Sequence, residues 1–168
     1  IVSGKCETIQ LKQNFEPARY LGTWFEQARD KGMFFEKYDC DQARYSLKDN
    51  GDIAVLNTEY NAKEDKVEQA TATAKTIGEA HLKVYFAPFI GGDYEVLDTD
   101  YENFAVVYSC EQLPLNNKDE YIWILTRAQK LTPELDAKVK SVIDEKVPKY
   151  DRLSNLRKTK HDETCKYL

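Results

Sequence analysis

Apolar and polar side chains alternate in short runs along most of this chain, and turn-forming residues separate the runs. Such alternation is typical of β-strands with one buried face. The segment Asp49-Asn50-Gly51-Asp52 predicts a tight hairpin turn, because Asn-Gly tolerates positive φ. Gly91-Gly92 predicts a bend between two later strands. We therefore predict eight strands, at about 21–28, 40–48, 53–60, 66–74, 81–86, 94–98, 103–110 and 120–127.

The period of the pattern changes after the last predicted strand. Thr132-Pro133-Glu134 is a typical helix start, with a capping threonine, proline in the first turn and an acid near the positive helix end. Val147-Pro148 predicts the end of this helix. Its other faces mix acids and lysines, so we expect it to pack on the sheet rather than on a membrane. The packing stripe is formed by Leu135, Val139, Val142 and Ile143.

Length and composition limit the classes of function. The 168 residues suit one domain, which we place over 1–168. The net charge of −5 argues against nucleic acid as a partner. No apolar run approaches the roughly 18–20 residues that a membrane-spanning helix needs. The chain begins at Ile1 without an initiator methionine, so we expect a secreted, extracellular protein whose signal segment has been removed.

The cysteines are scattered along the chain. None forms a Cys-x-x-Cys pair and only 2 histidines are present, so we expect no metal site. An even number of cysteines in a secreted chain predicts disulfides. The sequence itself leaves all pairings open among Cys6, Cys40, Cys110 and Cys165.

Three segments, taken in order, resemble the three sequence blocks of the lipocalins. They are Gly22-Thr23-Trp24, the run Leu97-Asp98-Thr99-Asp100-Tyr101-Glu102-Asn103-Phe104, and Thr126-Arg127 after an apolar strand. Within that family, the phrases are most similar to the apolipoprotein D-like and insect bilin-binding branches. The resemblance implies an all-β fold, an eight-stranded antiparallel up-and-down β-barrel with one C-terminal α-helix packed on it. Such a barrel holds one small hydrophobic ligand.

The resemblance also implies structural roles at the closed end of the barrel. Gly22 lets the backbone approach closely, and Trp24 plugs the narrow end. Arg127 lies over that indole in a cation–π contact worth about 0.5–2 kcal/mol. Asp100 hydrogen-bonds the backbone of the turn that enters the seventh strand.

The disulfides that the resemblance implies are Cys6–Cys110 and Cys40–Cys165, each worth about 4–5 kcal/mol in the chain-entropy model. Because side chains alternate in a barrel, an outward Cys110 turns Val107 inward. An inward Arg127 likewise turns Tyr121, Trp123 and Leu125 inward. Similarity to lipocalins adds further inward, ligand-binding positions: Ala43, Tyr45, Val55, Asn57, Val84, Phe86, Tyr94 and Val96.

The fourth predicted strand has two chemically different faces. Ala70, Ala72 and Ala74 share one face, while Thr71 and Thr73 share the other. The similarity implies that the alanines point inward, with Ala70 and Ala72 in the binding site, which predicts a thin wall and a roomy cavity. Inward threonines would make the cavity narrower and more polar.

The expected lining is aromatic and aliphatic with few polar groups, which suits a flat, mostly apolar molecule with a few oxygens. The expected polar groups are Tyr45, Tyr94, Tyr121 and Asn57.

Met33-Phe34-Phe35 places three large apolar side chains in a loop at the expected open end. In one interpretation they form a hydrophobic rim that admits ligand, with Phe34 and Phe35 in the binding site, or that touches a membrane or lipoprotein particle. In the other, the loop packs on itself. The sequence leaves both interpretations open.

We expect a binding protein without required cofactor and without catalytic residues, a monomer or weak homo-oligomer. The leading hypothesis is extracellular binding and transport of a sterol, fatty acid, bilin, retinoid or carotenoid. The alternative is a pigment carrier whose bound tetrapyrrole or carotenoid serves for coloration. A lipocalin-type isomerase needs a pocket thiol, and every cysteine has an implied disulfide partner. A third hypothesis is an interaction protein that works through its apolar rim.

Other candidate groups have simpler explanations. Asp98 and Asp100 resemble a catalytic carboxylate pair, but they belong to the turn segment described above. His81 and His161 are far apart in sequence, and we expect both to be solvated.

Overall fold

The computed structural model describes residues 1–33 and 35–168. Its strands are β1 (Val2–Ser3), β2 (Gly22–Asp30), β3 (Asp39–Leu47), β4 (Ile53–Asn61), β5 (Lys66–Gly78), β6 (His81–Ala87), β7 (Ile90–Thr99), β8 (Phe104–Leu113), β9 (Asn117–Thr126) and β10 (Leu156–Lys158). Its helices are α1 (Pro17–Tyr20), α2 (Pro133–Lys146) and α3 (Arg152–Asn155).

Strands β2 to β9 each pair with the next, and β9 pairs again with β2, so they close into an antiparallel barrel. The short strands β1 and β10 pair with β9 and β2 on its outside. The predicted eight-stranded barrel with a C-terminal helix is confirmed.

One predicted turn is wrong. Gly91 and Gly92 lie inside β7, and the chain reverses at residues 88–89, where Phe89 takes a φ of 64°. Gly91 pairs with Tyr85, and a Cβ at Gly91 would lie 2.8 Å from the Tyr85 ring. This glycine therefore accommodates a cross-strand aromatic ring rather than a bend.

Helix α2 packs on the outside of the barrel, as its apolar stripe predicts. Thr132 caps it by accepting a hydrogen bond from the backbone N–H of Leu135. Val139, Val142 and Ile143 are buried, and they form one apolar cluster with outward residues of β8 and β9. The outward residues of β8 in that cluster are Phe104, Val106 and Tyr108, so the intervening Ala105 and Val107 face the interior.

The narrow end is closed by Trp24, which is fully buried. The Arg127 guanidinium carbon lies 3.7 Å from the centre of its ring. The same guanidinium donates hydrogen bonds to four backbone carbonyl groups, those of Arg19, Leu21, Thr23 and Tyr101. Arg127 thus ties the entry of β2 to the turn before β8.

Gly22 and Asp100 also contribute to the structure of the closed end. Gly22 has a φ of +101°, and a Cβ there would lie 3.2 Å from Arg127 Nη1. Asp100 Oδ1 accepts hydrogen bonds from the backbone N–H groups of Asn103 and Phe104. Although partial burial opposes ionisation, these donors hold the pKa of Asp100 below its usual value.

The two ends of the chain are fastened to the barrel by disulfides, Cys6–Cys110 and Cys40–Cys165. These are the pairs that the resemblance implies. His161 is not simply solvated, because its ring contacts the Tyr167 hydroxyl and the Glu26 carbonyl oxygen at 2.7 and 2.6 Å. It therefore helps to fix the C-terminal tail. His81 lies 2.9 Å from Asp93 and is also partly buried.

Candidate ligand-binding cavity

The barrel encloses a cavity of about 970 Å³ above the closed end. Most of the predicted site residues line it, namely Phe35, Ala43, Tyr45, Val55, Asn57, Ala70, Val84, Phe86, Tyr94, Val107, Tyr121, Trp123 and Leu125. Phe34 lies outside the described residues. The volume is at the upper end of the range of about 300–1,000 Å³ for small-molecule sites.

Two predicted lining residues lie elsewhere. Val96 is fully buried and belongs to the closed-end cluster that contains Trp24. Ala72 packs beside Ile53 and Val55, where apolar side chains fill the barrel. Both positions have the inward parity that was predicted, but they lie at a depth where little space remains.

The alanine face of β5 points inward. Ala70 and Ala72 pair with Asn57 and Val55 of β4, which face the same interior. On the opposite face, the Thr73 hydroxyl accepts a hydrogen bond from Lys48. Of the two alternatives, the thin, small-residue wall is therefore present.

Three tyrosine hydroxyls meet at the inner end of the cavity. Tyr94 Oη lies 2.6 Å from Tyr20 Oη and 2.9 Å from Tyr45 Oη. Burial raises the pKa of Tyr45 to about 12, so this hydroxyl is neutral at physiological pH. Two contacts use two of the three hydroxyl protons, which leaves one proton for an acceptor on a ligand.

The sequence prediction missed a charged cluster in the cavity wall. The pairing of β2 with β9 shifts between Glu26 and Ala28, where an extra residue forms a β-bulge. Beyond this bulge, Arg29 pairs with the inward Trp123, while Glu26 pairs with the inward Leu125. Both charged side chains therefore face the interior, three positions apart.

Arg29 is 2% exposed and lies at the centre of this acidic cluster. Its Nη1 atom is 3.0 Å from Glu26 Oε2 and 3.1 Å from Asp41 Oδ1, and its Nε atom is 3.5 Å from Glu36 Oε2. Its Nη2 atom donates to the Tyr38 carbonyl. Since one guanidinium faces three carboxyl groups, the cluster is acidic in excess.

Burial and a neighbouring acid raise the pKa values of Asp41 and Glu36. Burial is the largest cause for Asp41, followed by the neighbouring Glu26, and together they raise its pKa to about 10. The same two causes hold the pKa of Glu36 well above its usual value. Asp41 is therefore protonated at neutral pH when the cavity holds no cation.

Glu26, Glu36 and Asp41 are the three carboxyl groups, within the part of the chain that the structure describes, whose oxygens are close enough to share a metal ion. The guanidinium of Arg29 already contacts all three and supplies their positive charge. The donor set therefore fits an internal ion cluster better than a metal centre.

The predicted loop supplies one exposed apolar side chain to the mouth of the cavity, Phe35, which is 48% exposed. Met33, by contrast, is 4% exposed and turns into the protein. The β6–β7 hairpin adds three more exposed apolar side chains, since Phe86, Phe89 and Ile90 are 52%, 99% and 70% exposed. The Phe35 ring lies 6.4 Å from that of Phe86 and joins the loop to this hairpin. We define Phe35, Phe86, Phe89 and Ile90 as the apolar rim.

A closed antiparallel barrel around a deep cavity is the architecture of a small-molecule binding protein. Comparison with known proteins agrees with this class. The model of the Lipocalin / cytosolic fatty-acid binding protein family matches residues 21–161. This chain belongs to that family, whose members bind small hydrophobic ligands.

Individual relatives add detail. Apolipoprotein D of Macaca fascicularis is 40% identical over 144 residues, which cover 83% of this chain and 75% of the relative. Outer membrane lipoprotein Blc of Citrobacter freundii is 36% identical over 132 residues, with 76% and 70% covered. Insecticyanin of the tobacco hornworm Manduca sexta superposes with a TM-score of 0.82 at 20% identity, over 98% of this chain and 91% of that chain.

Lobster apocrustacyanin A1 superposes with a TM-score of 0.81 at 20% identity, over 98% of this chain and 92% of that chain. These two structural likenesses establish the shared fold. Within the described residues, no helix is both long and apolar enough to cross a membrane.

Proposed function

We propose that this protein binds a small, largely apolar molecule in its barrel and carries it in the extracellular space. The observation that carries the proposal is the cavity of about 970 Å³, bounded by aromatic side chains and the alanine face of β5. Burying about 300 Å² of apolar ligand surface would contribute about 7–8 kcal/mol before association costs, which leaves micromolar to sub-micromolar binding. The disulfides suit an oxidising, extracellular location.

Native mass spectrometry of protein purified from its source tests the proposal. We expect an adduct of a few hundred daltons that organic extraction releases. Isothermal titration of the extracted protein with dodecanol should then give a micromolar dissociation constant. Absence of an adduct together with absence of dodecanol binding would reject the carrier function.

A pigment carrier is the second candidate, and the breadth of the cavity favours it. Inward alanines leave room for a wide, flat molecule such as a tetrapyrrole or a carotenoid. The source-purified protein should then have a visible absorption band that extraction removes. A colourless preparation with a bound lipid would leave the general carrier function and reject the pigment role.

We infer a binding role rather than catalysis. Both disulfides consume all cysteines, so the nucleophilic thiol that a lipocalin-type isomerase needs is missing. Titration of the native protein with a thiol reagent should detect no reactive thiol, and one reactive thiol per chain would revive the enzyme hypothesis.

We also propose that the apolar rim touches a lipid surface, such as a membrane or lipoprotein particle, when ligand is exchanged. Phe89 and Ile90 project from the β6–β7 hairpin at the mouth of the cavity. Exposed apolar side chains grouped at a cavity mouth are typical of such contacts. The protein would act as a monomer or weak homo-oligomer.

A further inference from the structure

The cavity wall beside Arg29 contains more carboxyl groups than its one guanidinium can neutralise. Glu26 is well satisfied, since its Oε2 atom accepts from both Arg29 and the Thr159 hydroxyl, at 3.0 and 2.7 Å. Glu36 and Asp41 are less completely paired: each has an ion pair with Arg29 and a side-chain hydrogen bond with another acid, Glu26 for Glu36 and Glu59 for Asp41. Glu59, which faces the same region of the cavity, already accepts from the backbone N–H of Tyr38.

Two carboxyl oxygens of this wall accept no hydrogen bond within the described residues. They are Asp41 Oδ1 and Glu36 Oε2, and both residues line the cavity. The Asp41 side chain is 9% exposed. Arg29 lies 3.1 Å from Asp41 Oδ1, but its hydrogen bonds go to Glu26 and to the Tyr38 carbonyl. A buried acceptor without a donor is costly, and a ligand donor in the cavity would satisfy it.

Aromatic rings stand beside these oxygens. The Trp123 indole N–H lies 3.4 Å from Glu36 Oε1, and the Tyr121 ring lies 6.1 Å from the Trp123 ring. Both rings line the cavity. Carboxyl groups next to tryptophan and tyrosine faces form the environment that attracts organic cations, because the ring faces carry negative charge density.

The other charged residues of the cavity lining are also mainly acidic. The further acidic residues of the cavity and its mouth outnumber the lysines, Lys37 and Lys83. These acids are Glu59, Glu68, Asp93, Glu111 and Asp119. An anionic ligand would therefore meet like charge on entry.

We infer that the bound molecule is an apolar compound with a protonated amine, which sits between the carboxyl groups of Glu36 and Asp41 and the face of Trp123 and whose binding releases the Asp41 proton to solvent. This inference rests on the proposed function and narrows its ligand class. It makes a fatty-acid anion the least suitable of the candidate ligands. The apolar part of the molecule would extend along Val55, Ala70 and Val84 toward the tyrosine hydroxyls.

Three probes with the same hydrocarbon chain test the inference: dodecylamine, dodecanol and dodecanoate. Each is titrated into the ligand-free protein by calorimetry at pH 7.4, below its micelle-forming concentration. We expect dodecylamine to bind at least tenfold more tightly than dodecanol, and dodecanoate to bind more weakly than dodecanol. An amine preference below tenfold, or dodecanoate binding as tightly as dodecanol, overturns the inference.

These outcomes separate this inference from the carrier function. Equal binding of all three probes rejects the cationic ligand and leaves the carrier function in place. Failure of all three probes to bind rejects the carrier function itself.

The double variant Glu36→Gln, Asp41→Asn tests whether these two carboxyl groups cause the preference for amine over alcohol. It keeps the shape of both side chains, and the ratio of amine to alcohol affinity should fall to near one. Glu134→Gln, on the exposed start of α2, is the matched control and should keep the wild-type ratio. A double variant that folds, by its circular dichroism spectrum, and keeps the preference would place the cation elsewhere. If the double variant does not fold, the probe series on the wild-type protein still decides the ligand class.

Discussion

Two arginines of this barrel have different surroundings, Arg127 at the closed end and the buried Arg29 in the cavity wall. At the closed end, Arg127 covers Trp24 and donates to four backbone carbonyl groups, so its donors are paired with neutral acceptors. In the cavity wall, Arg29 faces three carboxyl groups and leaves two acceptor oxygens without donors. Complete pairing stabilises a fold, whereas incomplete pairing at a cavity is a place where a ligand adds the missing partner.

The largest effect should come from the closed end. Trp24→Ala removes a fully buried ring and the platform under Arg127, so we expect the free energy of unfolding to fall by about 3–5 kcal/mol. Urea denaturation followed by circular dichroism measures this loss. A loss below about 1 kcal/mol would contradict the structural role of this end.

The second prediction concerns the pH dependence that the cavity wall imposes. The pKa of Asp41 is raised to about 10 in the folded chain, against about 3.9 when unfolded. Between these values the folded chain holds a proton that the unfolded chain has released, so the contribution of Asp41 to stability is fully present at low pH and is lost as pH rises. For Asp41 alone the decline is about 1.4 kcal/mol per pH unit, and the charged neighbours that set it are Glu26, Arg29, Glu36 and Glu59.

Asp41→Asn should therefore reduce the slope of the unfolding free energy against pH between pH 6 and pH 8. The expected reduction is about 1.4 kcal/mol per pH unit, which corresponds to one proton. Urea titrations at several pH values measure both slopes. Glu134→Gln serves as the matched control and should keep the wild-type slope. Equal slopes for Asp41→Asn and the wild type would show that this carboxyl does not carry a raised pKa.

The third prediction tests the cavity through its aromatic wall. Trp123→Ala should weaken dodecanol binding at least tenfold, because the indole forms part of the lining, while the barrel remains folded. Trp123→Phe is the control, since it retains an aromatic face and should retain most of the affinity. Calorimetry gives both constants, and unchanged affinity in Trp123→Ala would place the ligand elsewhere.

The smallest effect on stability is expected at the rim. Phe89 is 99% exposed, so Phe89→Ser should change the unfolding free energy by less than about 0.5 kcal/mol. It should nevertheless reduce co-flotation with phosphatidylcholine vesicles. Leu153→Ser, at an 83% exposed leucine in α3, is the control and should leave flotation unchanged. Equal flotation of the wild type and Phe89→Ser would argue against lipid contact at the rim.

Much of the fold followed from local patterns. One residue of known orientation in each of β8 and β9 was enough to assign all inward and outward side chains of that strand, because a barrel strand has only an inner and an outer face. Parity does not give depth along the barrel axis, which is why Val96 was grouped with the cavity although it lies beside Trp24. The glycine pair in β7 looked like a turn because its partner ring, Tyr85, is invisible to a local pattern.

The charged wall was only partly visible in the sequence. Glu26 follows Trp24 by two residues and Asp41 precedes Ala43 by two, so simple alternation already places both carboxyl groups inside. By the same alternation, Arg29 would face outward. Only the bulge after Glu26 turns it inward, and a bulge depends on the partner strand.

That bulge has an evolutionary consequence. One surplus residue at Gln27 separates Glu26 from Arg29, although the two side chains lie opposite the inward Leu125 and Trp123. Deleting that codon would bring Glu26 and Arg29 to the two-residue spacing of a regular strand and would leave both side chains facing the guest. The length of this strand can thus change by one residue in related barrels without removing the guanidinium from among the carboxyl groups.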